Sequence, residues 1–408
     1  MTSALPSLEK LRPNAASAKL PLFDRSKWKP VRFGEVVQQL KEEVDPQSGD
    51  VDRYVAGEHM ETENVHIRKW GVVGDGYLGP AFIRRFRKGQ VLYGSRRTYL
   101  KKVAVAEWDG VTANTTFVME AIRERLLPEL LPWLMLSERF TKHSVAESKG
   151  STNPYINFPD IAKFKFALPP LGQQRRIAEV LWAVDEGIQT RLSVMASTNS
   201  CLSAVLEAEL DRLFKGSCAK LSELWAASPD SGCSAPPSTI ETGHFVLSLT
   251  AVSANGYLAG NLKPVVPTAA MLSARLTKGD LLISRSNTQE LVGFVGIFGD
   301  ERNDVSFPDT MMRLHIDEKR IEKRFLEAVL LSKRGRSHMM RSAAGTSASM
   351  KKINRQTLGQ CLIPTPTLFQ QQKFLDRLVG LRGVLAEVDT AVATTESLMI
   401  ALLNTIFP

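Results

Sequence analysis

Two stretches far apart in the chain begin a helix in the same way: PPLGQQRRIAEVL at 169–181 and PTLFQQQKFLDRL at 366–378. Each has a proline-led start, a glutamine pair, a basic residue and an apolar stripe at helical spacing. Ile177 falls on Phe374, an offset of 374 − 177 = 197. The same offset carries Ile156-Asn157 onto Ile353-Asn354, and Leu181, Val184 and Ile188 onto Leu378, Leu381 and Leu385. Upstream, KGQVLYGSRRT (88–98) matches KGDLLISRSNT (278–288) at an offset of 278 − 88 = 190. Each copy runs on through glycine-punctuated β-rich sequence, a leucine-rich segment (LLPELLPWLML, RFLEAVLLSKR) and a small-residue loop (GSTNPY, GTSASMKK). A unit of this length is too long for a solenoid. It predicts a duplicated β-rich domain, each copy followed by a long helix.

The helices carry a seam. Ile177, Leu181, Val184, Ile188, Met195, Leu202 and Val205 follow steps of four and three, with Arg191 and Thr198 as gaps. Phe374, Leu378, Leu381, Leu385, Val388, Val392, Met399 and Leu402 keep the same register, with Thr395 in the corresponding gap. A period of 3.5 sustained over several heptads is the pattern of a coiled coil. The expected fold class is α+β: two β-rich domains alternating with two long helices that pack as an antiparallel coiled coil, in a pseudo-two-fold internal repeat. The expected boundaries are an extension at 1–20, domains at 21–168 and 216–365, and helices at 169–215 and 366–408.

The formal charge is +9 and it is not spread evenly. Residues 84–102, RRFRKGQVLYGSRRTYLKK, hold eight basic side chains and no acid; 332–352, SKRGRSHMMRSAAGTSASMKK, hold six and none. Two such clusters suit phosphate contacts. Two basic domains held apart by a rod would touch two places on one duplex, and helical-turn spacing is about 34 Å. The loops differ where the frameworks agree: Ser95-Arg96-Arg97-Thr98 against Arg285-Ser286-Asn287-Thr288. The inferred target is therefore bipartite and asymmetric, with a central stretch that is measured and not read. Arg96, Arg97 and Arg285 suit guanine edges, while Asn287 and Gln289 suit adenine. Lys88, Lys101, Lys102, Lys142, Lys149, Lys351 and Lys352 suit phosphates. Arg84, Arg85, Tyr99, Lys278, Arg334, Arg336 and Arg341 complete the expected DNA-binding set.

The motif LPPLGQQRRIAEVL, its echo PTPTLFQQQKFL and KGQVLYGSRRTYLKKVAVAEWDG together resemble the specificity subunit of type I restriction-modification systems. The resemblance covers nearly the whole chain beyond its first twenty residues. It implies two target-recognition domains and two long helices, a split DNA target, and docking of two methyltransferase subunits and of restriction (motor-nuclease) subunits. S-adenosylmethionine, ATP and magnesium are then expected on those partners, with no cofactor and no catalytic site on this chain. The family usually has Glu-Gln where this chain has Gln173-Gln174 and Gln370-Gln371, and Thr367 replaces a proline in the second copy.

Other readings compete. Pro308-Asp309 with Asp317-Glu318-Lys319 resembles a magnesium-nuclease signature, making an autonomous nuclease the alternative. A coiled-coil scaffold that never touches DNA is the third reading. Asn153-Pro154-Tyr155 lacks a proline of the adenine-methyltransferase site and has no glycine-rich turn before it. There is no Gly-x-x-x-x-Gly-Lys-Ser/Thr loop for ATP. Cys201, Cys218, Cys233 and Cys361 and the six histidines show no metal-ligand spacing. Without a spanning apolar run or a secretory leader, a cytoplasmic protein is expected.

Overall fold

A computed structural model describes residues 23–345 and 350–408. The expected extension at 1–20 and the loop residues Ala348 and Ser349 lie outside the described residues. The chain divides into two units, one formed by the described residues up to Val194 together with Val388–Pro408, the other by Met195–Glu387.

In the first unit, a four-stranded antiparallel sheet has the order Val37–Leu40, Thr116–Ala121, Val91–Gly94, Val103–Val105. Its central strands are buried on both faces because side-chain direction alternates residue by residue. Val91, Tyr93, Phe117 and Met119 face one core with the helices Leu131–Leu136 and Glu138–Ala146 and the long helix Leu171–Leu213. Leu92, Ala104 and Val118 face the other, against Val55 and Phe86 of a second sheet. That sheet has the order Gly71–Val72, Arg53–Val55, Gly110–Ala113, Phe82–Phe86, with 53–55 and 110–113 parallel. Lys29–Arg32 pairs with Lys165–Leu168 and closes the unit just before the long helix.

The second unit is built by the same alternation. Trp225–Ser231, Met311–Ile316, Leu281–Ser284 and Val295–Ile297 form an antiparallel sheet in that order. Leu281, Ile283, Met312 and Leu314 face the helix Lys323–Leu331 and the second long helix, Leu368–Ile406. Leu282 and Met311 face Leu247, Val305 and Phe307. Leu262–Pro264, Phe245–Leu247 and Val305–Ser306 make the smaller sheet, with 245–247 and 305–306 parallel. Cys218–Lys220 pairs with Leu362–Pro364.

Each unit turns between two short helices on a serine. Ser137 Oγ accepts from Phe140 N at 3.3 Å, and Ser332 Oγ from Gly335 N at 3.3 Å, each capping the following helix. Gly335 is obligatory: a Cβ there would stand 2.4 Å from Leu330 O and 2.5 Å from Val329 O.

The long helices run 43 and 39 residues, about 65 and 58 Å at 1.5 Å per residue. The second starts on a capping box, with Gln370 N donating to Thr367 Oγ1 at 3.3 Å and Thr367 N to Gln370 Oε1 at 3.0 Å. Thr367 thus does by side chain what a proline does by ring constraint.

The seam needs one correction. Ile177, Leu181 and Ile188 are buried in the first unit beside Met399, Leu403 and Ile406, and Val184 packs against them. Phe374 and Leu378 are buried in the second beside Leu210, whereas Leu381 and Leu385 are half-buried. Val205, though, is 48% exposed and Leu206 packs inward in its place. A straight helix drifts about 20° per heptad from a strict seven-residue repeat, and Val205 lies four heptads after Ile177. The same drift puts Leu403, at 7% exposure, deeper than the half-buried Leu402. Leu192 likewise packs inward beside the expected gap at Arg191. Among the described residues no helix is long and apolar enough to cross a membrane.

Candidate nucleic-acid interface

In the first unit the strand Val91–Gly94 leaves its sheet into the loop Ser95–Lys101. Ser95 N donates to Thr115 O at 3.1 Å, and the Ser95 hydroxyl donates to the same carbonyl at 2.6 Å. Ile156 N donates to Ser95 O at 2.9 Å and Arg97 N to Pro154 O at 2.7 Å. The loop therefore lies against Lys149–Ile156, with Tyr155 bridged to both Arg96 and Lys149.

This loop is also where the backbone is strained. Among the described residues, the non-glycine positions with left-handed backbone are Glu63 (φ +56°), Arg97 (+49°) and Lys101 (+46°). They form one locus: Glu63 N donates to Lys101 O at 3.2 Å, and Lys101 Nζ reaches Glu63 at 2.6 Å and Glu138 at 3.2 Å. A side-chain-bearing residue in that region costs on the order of 1 kcal/mol, and such strain gathers where a fold aims side chains for use.

The basic run 84–102 is continuous in sequence and divided in space. Arg96, Arg97 and Tyr99 are exposed on the loop, with Lys142, Lys149, Asn153 and Tyr155 exposed on the segments beside it. Arg97 Nε donates to Asn153 Oδ1 at 3.3 Å. Lys149 is paired with Asp160 at 2.9 Å, whose carboxyl Lys163 and Lys149 hold well below the usual range. Arg84 and Arg85 stand instead on Phe82–Phe86 with largely covered side chains. Arg84 donates to Lys41 O at 2.6 Å and lies 3.4 Å from Glu43, and Arg85 lies 3.7 Å from Glu42. Lys88 is exposed on a turn whose backbone is tied to Asp109. Lys102 donates to Gly57 O. Ser95 and Thr98 are buried, at 5% and 3% exposure, and hold the loop from within.

The second unit repeats the backbone bonds with other side chains. Arg285 N donates to Thr310 O at 2.8 Å, and Ile353 N donates to Arg285 O at 2.9 Å. Ser286 pairs with Lys352, Asn287 with Lys351, and Ala344 bridges Lys352. Arg285 is half-buried, with Nη1 3.4 Å from Ser231 Oγ. Ser286 is buried, and Asn287 and Thr288 are half-buried. Gln289 donates to Met340 O. Lys351 donates to Gly345 O at 2.7 Å, while Lys352 and Arg341 are exposed. Arg334 is paired with Asp211 at 2.9 Å over the Phe214 ring. Arg336 donates to Glu290 O at 2.8 Å with its guanidinium 4.0 Å from the Phe294 ring, and burial lowers its pKa. Lys278 sits in the turn before the strand Leu281–Ser284, paired with Glu301 at 2.7 Å, while Arg285 follows the strand's other end.

Charge alone missed Asn153, Pro154 and the two threonines whose carbonyls hold the loops. Thr115 and Thr310 occupy matching places in ANTT and PDTM, which is the signal that would have found them. Asn153-Pro154-Tyr155 is the loop's clamp. The nuclease alternative fails on distance. Asp309 precedes the strand Met311–Ile316 and Asp317 follows it, so the extended chain from Met311 to Asp317, about 20 Å at 3.3 Å per residue, lies between them. Asp317 instead accepts from Lys319 N at 3.1 Å in a turn.

Residues 26–193 match the family model described as type I restriction modification DNA specificity domain. A stretch of 176 residues, 40% of this chain, is 27% identical to the type I restriction enzyme EcoDI specificity subunit of Escherichia coli. Another of 137 residues, 32% of the chain, is 26% identical to the HindI specificity subunit of Haemophilus influenzae. The chain spans 37% and 28% of the lengths of these relatives. A solved chain from work on assembly and conformational transition of the type I R-M system has a similar fold. Its TM-score is 0.64 and its identity 20%, covering 95% of this chain and 98% of that one.

Proposed function

We propose that the chain is a specificity subunit of the type I restriction-modification kind, which reads a split, asymmetric DNA target without itself performing catalysis. The observation that carries this reading is the pair of loops with equal backbone bonds and unequal side chains. Ser95 and Arg285 receive the same two tethers, from Ile156 or Ile353 and from Thr115 or Thr310. Arg96 then stands where Ser286 does, and Arg97 where Asn287 does. Equal tethers place side chains alike on a duplex; unequal side chains select different bases.

The proposed domain plan is 21–168 and 216–365 as target-recognition domains, with 169–215 and 366–408 as conserved spacer helices. The two helices act as an antiparallel coiled coil that sets the unread gap. This is supported by full or partial burial recurring every three or four residues at Phe374, Leu378, Leu381, Leu385, Val388, Val392, Thr395 and Met399. Exposed outer faces of those helices dock two methyltransferase subunits, with restriction subunits joining them. S-adenosylmethionine, ATP and magnesium act on those partners.

Single-molecule sequencing of methylated adenines, in cells with and without this gene, tests the reading. A bipartite methylated motif that vanishes with the gene is expected. Its persistence, or a contiguous motif, sinks the proposal.

A further inference from the structure

The exposed group that charge does not explain is Tyr77. It is 91% exposed, at the tip of the connection between the strands Gly71–Val72 and Phe82–Phe86. The connection is shaped to lift a side chain clear of the fold. Gly74 and Gly76 have φ of +99° and +118°, and a Cβ at either would meet nothing within 4 Å. The glycines therefore serve backbone conformation and not close packing.

The stem is firm. Val73 N donates to Asp52 O at 2.9 Å, and Arg53 lies against the edge-to-face rings of Trp70 and Trp108, 5.3 and 5.5 Å from their centroids. The far side is tied to the reading loop. Asn114 N donates to Ala81 O at 2.8 Å, and the next residue, Thr115, is the acceptor that holds Ser95. The base of the connection is thus joined, through Asn114 and Thr115, to the strand end that holds Ser95.

Residues 71–80, GVVGDGYLGP, contain no lysine or arginine and one carboxylate, Asp75. Such a loop has nothing to offer a phosphate and carries one aromatic ring. Apolar and aromatic side chains placed against a duplex enter between base steps and unstack them. We propose that Tyr77 is a wedge that inserts at a base step of the half-site read by the first unit. This deepens the function proposed above and rests on it.

The test uses the full chain with a duplex carrying its mapped target and 2-aminopurine at successive positions of that half-site. Wild type is expected to raise the fluorescence at one step. Tyr77→Ala removes the rise and weakens binding about tenfold. Tyr77→Phe keeps both, and the salt dependence of binding is unchanged because no counterion is released. Tyr77 is too exposed for its loss to unfold the chain, and circular dichroism checks this. Arg96→Ala, in parallel, weakens binding yet keeps the rise. Overturning results are a wild type that binds without any rise, or a Tyr77→Ala that binds and unstacks as wild type does. Either, with Arg96→Ala still weakened, removes the wedge and leaves half-site reading intact. A wild type with no preference for the target removes both.

Discussion

Gln174 and Gln371 close the same three hydrogen bonds, each at the start of its own long helix. Gln174 Oε1 accepts from Leu127 N at 2.8 Å while Nε2 donates to Arg125 O and Pro169 O, both at 2.8 Å. Gln371 Oε1 accepts from Glu322 N at 2.8 Å while Nε2 donates to Arg320 O at 3.1 Å and Pro366 O at 2.9 Å. Their exposures are 1% and 0%. An amide alone offers two donors and an acceptor on one planar head, so here a glutamine bolts a helix start to the loop ahead of a shorter helix. Replacing either by leucine leaves a buried amide and two carbonyls without partners, at a cost of about 2–4 kcal/mol. Urea unfolding of Gln174→Leu and Gln371→Leu measures it. A change below about 0.5 kcal/mol in both would show the bolts to be ornamental.

That relationship was half legible in the sequence. The glutamine pair stood out as repeated, but not which member was buried or what it bonded, because two of the three partners of each buried glutamine are backbone groups some 50 residues upstream with no side-chain signature. The strands were legible as β-rich sequence, since Val91–Gly94 and Thr116–Ala121 are nearly continuous apolar runs. The division into two cores was not, because period-2 alternation is hidden when both faces are apolar. The basic run 84–102 misled in part: Arg84 lies on a strand with its side chain bonded to Lys41 O and beside Glu43, whereas Arg96 is exposed on a loop, so the two share a charge and not a setting.

That division makes a contrast between arginines. Arg96 is exposed and, among the described residues, makes no ion pair; Arg84 has its side chain 15% exposed beside Glu43. Arg96→Ala is expected to weaken target binding by about 1–3 kcal/mol and relax one base position. Arg84→Ala is expected to shift stability and leave the methylated motif as it was. Methylation mapping of both variants decides. A relaxed motif in Arg84→Ala would place the strand Phe82–Phe86 in the readout after all.

The helix drift sets a second contrast. Val205 and Leu206 are adjacent, yet only Leu206 packs into the core with Leu210 and Leu213. Leu206→Asp buries a carboxylate against apolar neighbours and should cost more than about 2 kcal/mol, while Val205→Asp should stay within about 0.5 kcal/mol. Thermal unfolding of the two variants reads the difference. Equal losses would mean that the strict seven-residue register holds.

His66 gives the first unit a dependence on alkali. Its Nε2 lies 2.7 Å from Asp185 on the long helix, its Nδ1 3.5 Å from Glu107, and its ring 6.3 Å from Trp182. Burial alone would lower the imidazole's pKa, but the Asp185 and Glu107 hydrogen bonds outweigh it, and Arg68 opposes them only weakly, so the value rises from 6.5 to about 9. The folded chain thus holds this proton more tightly than the unfolded one. The resulting stabilisation is complete below about pH 6.5, declines above it and is gone once pH passes about 9. His66→Gln, neutral throughout, should be less stable than wild type at pH 6 and lose this part of the alkaline decline. Urea midpoints at pH 6, 7.5 and 9.5, with an NMR titration of the imidazole, check it. An imidazole that titrates near its ordinary 6.5 in the folded chain would mean that the Asp185 contact does not hold the proton.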